Sequence, residues 1–127
     1  MANAIRMEHV GIPAQGELFD QTVQFYQQIF GWTLLREMPS PNRLAFVSDG
    51  QGGVLEILDV AGSGIPNPSH LAFMVPVDEF EATRDQLSEK GVAFDPVVVT
   101  AAGDHLAYFS DPAGNRAQLV GRKTPLE

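Results

Sequence analysis

The feature that most constrains this chain is an internal repeat of about 61 residues. Three polar or glycine landmarks recur in the same order in the two halves, at offsets of 61, 60 and 62 residues. The three pairs are His9 and His70, Gly31 and Gly91, and Glu56 and Gln118. Offsets that agree so closely indicate duplication of one ancestral unit, so the chain is expected to fold as two similar modules.

The two halves show the same succession of hydrophobic patterns. A short apolar strand precedes a helical pattern that ends at glycine, and three strand-like runs follow the helix. In the first half the predicted elements are a strand at 7–13, a helix ending at Gly31, and strands at 32–38, 44–48 and 54–60. In the second they are a strand at 69–76, a helix at 78–90 with a capping box of Asp78 and Glu81, and strands at 92–99, 105–110 and 116–120. Each half therefore reads β-α-β-β-β, which predicts an α+β fold.

The segment between the halves predicts a connector. Residues 61–69 contain two glycines and two prolines and carry no charge, which excludes a helix or a central strand. At 127 residues the chain is long enough for one domain and short for two. We expect a single domain, 1–127, with modules at about 4–60 and 69–121 and a linker at 61–68.

Composition excludes several classes of function. The chain has no cysteine, which excludes thiol nucleophiles, disulfides and thiolate metal sites. Its formal charge of −8 disfavours a nucleic-acid partner. No apolar run approaches the roughly 20 residues of a membrane span, and the N-terminus lacks the apolar core of a signal peptide. The expected location is the cytoplasm, and no phosphate loop or dinucleotide fingerprint is present.

Four polar residues lie inside otherwise apolar strands: His9, Glu56, His70 and Gln118. If a pseudo-twofold axis relates the halves, the four side chains can converge on one point. Two imidazoles, a carboxylate and an amide oxygen suit Zn²⁺, Ni²⁺, Co²⁺, Mn²⁺ or Fe²⁺ and leave positions open for substrate oxygens.

Structural roles compete with this hypothesis. A strand histidine often serves as a hydrogen-bonded structural residue, and a glutamate in a one-sided sheet often faces solvent. The next candidates, for substrate contact, are His105, Tyr108 and Arg116. A strand-end surface position is the alternative for His105, and a place in the core or the pocket wall is the alternative for Tyr108.

The sequence also resembles the vicinal-oxygen-chelate superfamily, which includes glyoxalase I, bleomycin-resistance proteins, fosfomycin-resistance enzymes, methylmalonyl-CoA epimerase and extradiol dioxygenases. The matching segments span almost the whole chain in the family's order. They lie at 9–13, 25–32, 55–57, 70–78, 89–92 and 108–120. The resemblance implies two βαβββ modules with eight strands curled around a cleft.

The resemblance also bears on the site. It implies metal ligands at His9, Glu56 and His70, with Gln118 standing where the family's metal enzymes usually carry glutamate. An amide oxygen ligates a metal weakly and cannot take a proton, so Glu56 is the expected proton carrier.

The expected function is that of a metal-dependent enzyme acting on a small substrate with vicinal oxygens, by lyase or isomerase chemistry of the glyoxalase type. The alternative is a metal-free protein that binds a small molecule, as bleomycin-resistance proteins do. An Fe²⁺ dioxygenase ranks third. Because short chains of this superfamily commonly pair, we expect a C2 homodimer.

Overall fold

The computed structural model describes residues 7–41, 43–62, 70–124 and 126. The chain divides into two compact units, Met1–Gly64 and Ile65–Glu127, which we call the first and the second module. Of the predicted linker 61–68, residues 63–68 lie outside the described residues. In the described segments, no helix has both the length and the apolar character needed to cross a membrane.

The first module is a four-stranded sheet with one helix. Its strands are β1 (Val10–Pro13), β2 (Thr33–Met38), β3 (Leu44–Ser48) and β4 (Val54–Leu58), and its helix is α1 (Glu17–Gln24), continued by a π-helical turn at Phe25–Ile29. The strand order is β1-β4-β3-β2. β1 runs parallel to β4, whereas β3 is antiparallel to both β2 and β4.

The second module repeats this topology. Its strands are β5 (Leu71–Pro76), β6 (Val98–Val99), β7 (His105–Ser110) and β8 (Arg116–Arg122), and its helix is α2 (Phe80–Glu89), preceded by a 3₁₀ turn at Val77–Glu79. The strand order is β5-β8-β7-β6, with β5 parallel to β8. The predicted α+β class and the βαβββ repeat are confirmed, with the eight strands divided between two four-stranded sheets.

Each module has its own hydrophobic core on one face of its sheet. In β3 and β4 burial alternates along the strand, as expected when one face is covered. Buried residues in the first module include Phe19, Tyr26, Ala45, Val47, Leu55 and Ile57. Those in the second include Phe80, Leu87, Ala107, Phe109, Ala117 and Leu119. The opposite face carries the half-buried Glu56 in the first sheet and the buried Gln118 in the second.

Glycines end both helical segments, as predicted. Gly31 and Gly91 have φ of 73° and 102°, in the left-handed region that glycine adopts without steric cost. The Trp32 N–H then donates to the Tyr26 carbonyl at 3.0 Å, and the Val92 N–H to the Leu87 carbonyl at 3.0 Å. These bonds satisfy carbonyls that the helix leaves unpaired at its end.

Two local predictions for the second module were wrong. The strand predicted at 92–99 is reduced to Val98–Val99. Pro96 has no N–H to offer a sheet partner, and the Asp95 N–H donates to the Tyr108 carbonyl at 2.8 Å.

The predicted capping box of Asp78 and Glu81 is also absent. No side chain caps this helical segment, because it starts directly after Pro76 and places Asp78 inside its first turn.

Candidate functional site

The first module presents a polar cluster on the face of its sheet opposite the core. In the parallel pair of β1 and β4, Gly11 lies beside Glu56, and in the antiparallel pair of β3 and β4, Phe46 lies beside Glu56. Residues paired across a ladder share a face, and His9 precedes Gly11 by two residues. We call His9, Gly11, Phe46 and Glu56 the first cluster.

Within the first cluster the imidazole of His9 faces the carboxylate of Glu56. Nε2 of His9 lies 3.6 Å from Oε1 of Glu56, and the two side chains are 32% and 17% exposed. The His9 and Phe46 rings meet edge to face with centroids 5.3 Å apart. A Cβ added to Gly11 would lie 3.2 Å from Cδ1 of Leu58 and 3.4 Å from Oε1 of Glu56, so glycine keeps the space beside both side chains open.

The second module carries an equivalent cluster. Gln118 on β8 lies beside Ala72 on β5 and beside Tyr108 on β7, and His70 precedes Ala72 by two residues. The His70 and Tyr108 rings lie edge to face with centroids 6.2 Å apart. We call His70, Ala72, Tyr108 and Gln118 the second cluster.

Gln118 is the most informative residue of the second cluster. It is 7% exposed, and among the residues that the structure describes, Oε1 of its amide has no hydrogen-bond partner. A buried oxygen without a partner forfeits its hydration without compensation, which costs about 1–3 kcal/mol. The amide oxygen therefore calls for a hydrogen-bond donor or a metal ion from outside the described residues.

Arg116 lies at the edge of the second cluster. Its guanidinium carbon is 5.2 Å from the centre of the Tyr108 ring, within the range of a cation–π contact. Its Nη2 donates to the carboxylate of Asp95, whose own backbone N–H is bonded to the Tyr108 carbonyl. Tyr108 and Arg116 are thus placed together, as two of the three residues predicted to contact substrate.

His105, the third of those residues, is separated from them. His105 on β7 pairs with Gly121 on β8, and both residues have odd numbers. Tyr108 and Gln118, which also pair across these strands, have even numbers. Successive strand residues point to opposite faces. Consistent with this, the His105 ring lies 5.4 Å from that of Phe80, the first residue of α2 and part of the core.

The donor atoms of both clusters fit a divalent metal ion in their chemistry, and those of the first cluster also fit in their spacing. Each cluster offers an imidazole nitrogen and an oxygen, a set suited to Zn²⁺ and its neighbours in the first transition row. Two ligands at about 2.1 Å from one ion are at most about 4.2 Å apart, and the 3.6 Å between His9 and Glu56 lies inside that limit. In the described part of the chain, no three His, Asp or Glu side chains form such a group.

Sequence reasoning did not identify four residues that shape these clusters: Glu8, Gly11, Phe46 and Asp95. A signal existed for Phe46, because it lies 62 residues before Tyr108, the same offset that joins Glu56 to Gln118. Gly11 lies 61 residues before Ala72 and could have been found in the same way. For Glu8 and Asp95 the repeat provides no such signal.

Comparisons with known proteins show the family to which the chain is related. A family model described as the Glyoxalase/Bleomycin resistance protein/Dioxygenase superfamily matches residues 6–119. The chain is 32% identical over 116 residues to a probable lactoylglutathione lyase of Vibrio cholerae serotype O1, covering 82% of this chain and 83% of that protein.

Solved structures show the same fold. A glyoxalase family protein from Enterococcus faecalis is 28% identical, with a TM-score of 0.76 over 91% of this chain and 96% of that chain. The fosfomycin resistance protein FosX from Listeria monocytogenes, in complex with Mn(II) and a sulfate ion, has a TM-score of 0.75 over 99% of this chain and 96% of that chain. At 18% identity, the likeness to FosX concerns the fold alone.

Proposed function

Since the chain belongs to the glyoxalase/bleomycin resistance protein/dioxygenase superfamily, we propose that it is a metal-dependent enzyme acting on a small substrate with vicinal oxygens. The proposed reaction is a lyase or isomerase step of the glyoxalase type. The observation that carries the proposal is the placement of a histidine and an oxygen donor at matching positions of both modules. The naming of a 32% identical relative as a probable lactoylglutathione lyase supports the same class of reaction.

The proposed ligands are His9, Glu56, His70 and Gln118, for Zn²⁺, Ni²⁺, Co²⁺, Mn²⁺ or Fe²⁺. Such an ion, when bound, polarises a substrate oxygen and makes the adjacent C–H more acidic. The partnerless oxygen of Gln118 supports its inclusion, because a ligand would supply the interaction that this buried atom lacks.

Glu56 is the proposed proton carrier. Of the four proposed ligands it is the carboxylate, and its side chain lies on the accessible face of the first sheet, 17% exposed. It would take a proton from one substrate carbon and return it to the neighbouring carbon, so the step is redox-neutral and needs no further reactant. The Gln118 amide cannot accept a proton in this way.

Tyr108 and Arg116 are the proposed substrate contacts. The Tyr108 hydroxyl can donate to a substrate oxygen, and the Arg116 guanidinium can pair with an anionic group. Asp95 holds Arg116 in place beside the Tyr108 ring. We further propose a C2 homodimer, the commonest closed assembly, which size-exclusion chromatography with light scattering would identify.

Metal content tests the proposal directly. Protein purified without a histidine tag and reconstituted with each of the five ions should hold about one ion per chain, since such sites retain their metals. His70→Ala should abolish uptake. His105→Gln, which alters a histidine on the core face, should retain it. Less than about a tenth of an ion per chain in the wild type would overturn the proposal.

Metal-free binding of a small molecule is the second candidate. It is favoured by Gln118 standing where the superfamily's metal enzymes usually carry glutamate, and by the absence of a three-residue His, Asp or Glu group in the described segments. Under this reading His70→Ala leaves ligand affinity largely intact. If the protein is a metal-dependent enzyme, His70→Ala removes metal uptake and turnover together.

A further inference from the structure

The imidazole of His9 has a carboxylate at each of its two nitrogens. Nδ1 lies 2.9 Å from Oε1 of Glu8, and Nε2 lies 3.6 Å from Oε1 of Glu56. The edge-to-face contact with Phe46 restrains the plane of the same ring. The ring is therefore oriented from three directions by side chains of the first module.

The two distances assign the proton of the neutral ring. A neutral imidazole carries one N–H, and its other nitrogen presents a lone pair. A separation of 2.9 Å is a hydrogen bond, whereas 3.6 Å is beyond hydrogen-bond range. Nδ1 therefore donates to Glu8, and the lone pair of Nε2 is directed toward the Glu56 side.

We propose that Glu8 is a positioning residue that holds His9 in the Nδ1–H tautomer and so presents Nε2 as the metal-binding nitrogen. The inference rests on the proposed role of His9 as a ligand of a divalent ion. A carboxylate that accepts the distal N–H of a ligating histidine fixes its tautomer and strengthens the other nitrogen as a donor.

The exposure of Glu8 separates this role from a role in folding. Its side chain is 87% exposed, and an ion pair in solvent contributes little to stability. Replacing Glu8 should therefore leave the fold intact while changing the His9 ring. The second module provides an internal reference, because the residue before His70 is Ser69, which carries no carboxylate.

The tautomer can be read without any metal. Long-range ¹H–¹⁵N spectra of the metal-free protein at about pH 8.5, where an ordinary imidazole is neutral, distinguish a protonated from an unprotonated ring nitrogen. In the wild type we expect Nδ1 of His9 to be protonated. Glu8→Ala should shift His9 toward the Nε2–H form and leave His70 unchanged. Glu8→Gln, which keeps an acceptor oxygen, should restore part of the wild-type pattern.

Zn²⁺ affinity, measured by chelator competition, gives the second readout. Glu8→Ala should weaken binding about 10- to 100-fold, with Glu8→Gln in between. Glu37→Gln is the matched control, because it removes one negative charge from an exposed residue of the same module and should leave affinity unchanged.

The two possible failures are distinguishable. A wild-type protein that binds no Zn²⁺ contradicts the proposed function. A wild-type protein that binds Zn²⁺ while Glu8→Ala binds it equally well overturns the role of Glu8. A wild-type His9 protonated on Nε2 overturns that role as well.

Discussion

The two modules share a scaffold and differ in the chemistry they present. Their equivalent positions are His9 and His70, Gly11 and Ala72, Phe46 and Tyr108, and Glu56 and Gln118. The first cluster places a carboxylate beside its histidine, whereas the second places a phenol ring beside its histidine and has an amide where the first has the carboxylate. Equivalent backbone positions of the two modules thus carry different functional groups. We therefore propose proton transfer for the first cluster and ligand contact for the second.

A second comparison concerns the ion pair beside each central hairpin. In the first module, Arg43 precedes β3 and pairs with Asp59 just after β4, with Nη2 and Oδ2 3.1 Å apart. In the second, the charges are exchanged: Asp104 precedes β7 and pairs with Arg122 at the end of β8, also at 3.1 Å. The scaffold uses opposite charges at this cross-strand position and tolerates either order.

The largest effect is expected from making the two clusters alike. Glu56→Gln replaces the carboxylate of the predicted set by a second amide. Binding of Zn²⁺ to a full site of about four ligands contributes about 10–16 kcal/mol, or about 3 kcal/mol for each ligand. Because an amide oxygen is a weaker ligand than a carboxylate, we expect Zn²⁺ affinity to fall about a hundredfold. Isothermal titration measures it, with Glu37→Gln as the charge-matched control. Wild-type affinity in Glu56→Gln would show that Glu56 does not contact the ion.

The reciprocal change sharpens the comparison. Gln118→Glu places a carboxylate in the second cluster and should tighten Zn²⁺ binding about tenfold, as a formal charge joins the ligand set. Without metal, the buried carboxylate lacks a partner, and we expect a loss of about 1–3 kcal/mol in the free energy of unfolding. Thermal unfolding with and without Zn²⁺ separates the two effects. Unchanged affinity would place residue 118 outside the coordination of the ion.

A smaller effect should follow from exchanging the residues beside the two oxygens. In Gly11→Ala the new Cβ would lie 3.2 Å from Cδ1 of Leu58, which must give way, and 3.4 Å from Oε1 of Glu56, so it fills the space beside the carboxylate. We expect a cost of about 0.5–1.5 kcal/mol, the scale of a strained rotamer, expressed as severalfold weaker Zn²⁺ binding. Ala72→Gly should instead lower stability slightly and leave Zn²⁺ affinity unchanged. Equal effects of the two exchanges would contradict the asymmetry.

The smallest effect concerns acid stability of the second module. The Lys123 backbone N–H and the Arg122 side chain donate to Asp104 and lower its pKa below the ordinary 3.8. The pKa of Asp104 is lower in the folded state than in the unfolded state, so its carboxylate stabilises the fold above pH 3.8. This stabilisation is lost as the pH falls through the pKa of the folded state.

Asp104→Asn should therefore flatten the fall in unfolding free energy between about pH 4 and about pH 2. Urea unfolding at several pH values measures this slope, and hydrogen exchange at the amides of β7 and β8 localises it. Glu81→Gln, which removes an exposed carboxyl from α2 of the same module, should keep the wild-type slope. A wild-type slope in Asp104→Asn would assign the acid sensitivity to other carboxyls.

Several features were predictable because they depend on local sequence. The caps at Gly31 and Gly91 follow from glycine at the end of a helical pattern. The turn after β7 follows from Asp111 and Gly114, whose carbonyl and N–H are bonded at 2.9 Å. The strand predicted at 92–99 failed because its apolar residues indicated a strand, while Pro96 limited its backbone pairing.

The site was predictable in part. The repeat grouped His9, Glu56, His70 and Gln118 as one candidate set, and the structure places His9 beside Glu56 in the first module and His70 beside Tyr108 in the second. The repeat did not separate His105 from Tyr108, because alternation alone does not tell which face the helix covers. The single domain, the bound metal, the homodimer and the cytoplasmic location stay predictions.

The sequence by itself determined the duplicated topology, the donor atoms available and the pairing of equivalent positions, because these features depend only on residue type and on spacing along the chain. The tertiary structure decided which atoms meet: a carboxylate at each nitrogen of His9, a buried Gln118 oxygen without a described partner, and an arginine held against Tyr108 by Asp95. The hydrophobic periodicity of the sequence indicates which residues of one strand share a face. Contacts between distant segments depend on register and burial, which form when the sheet assembles.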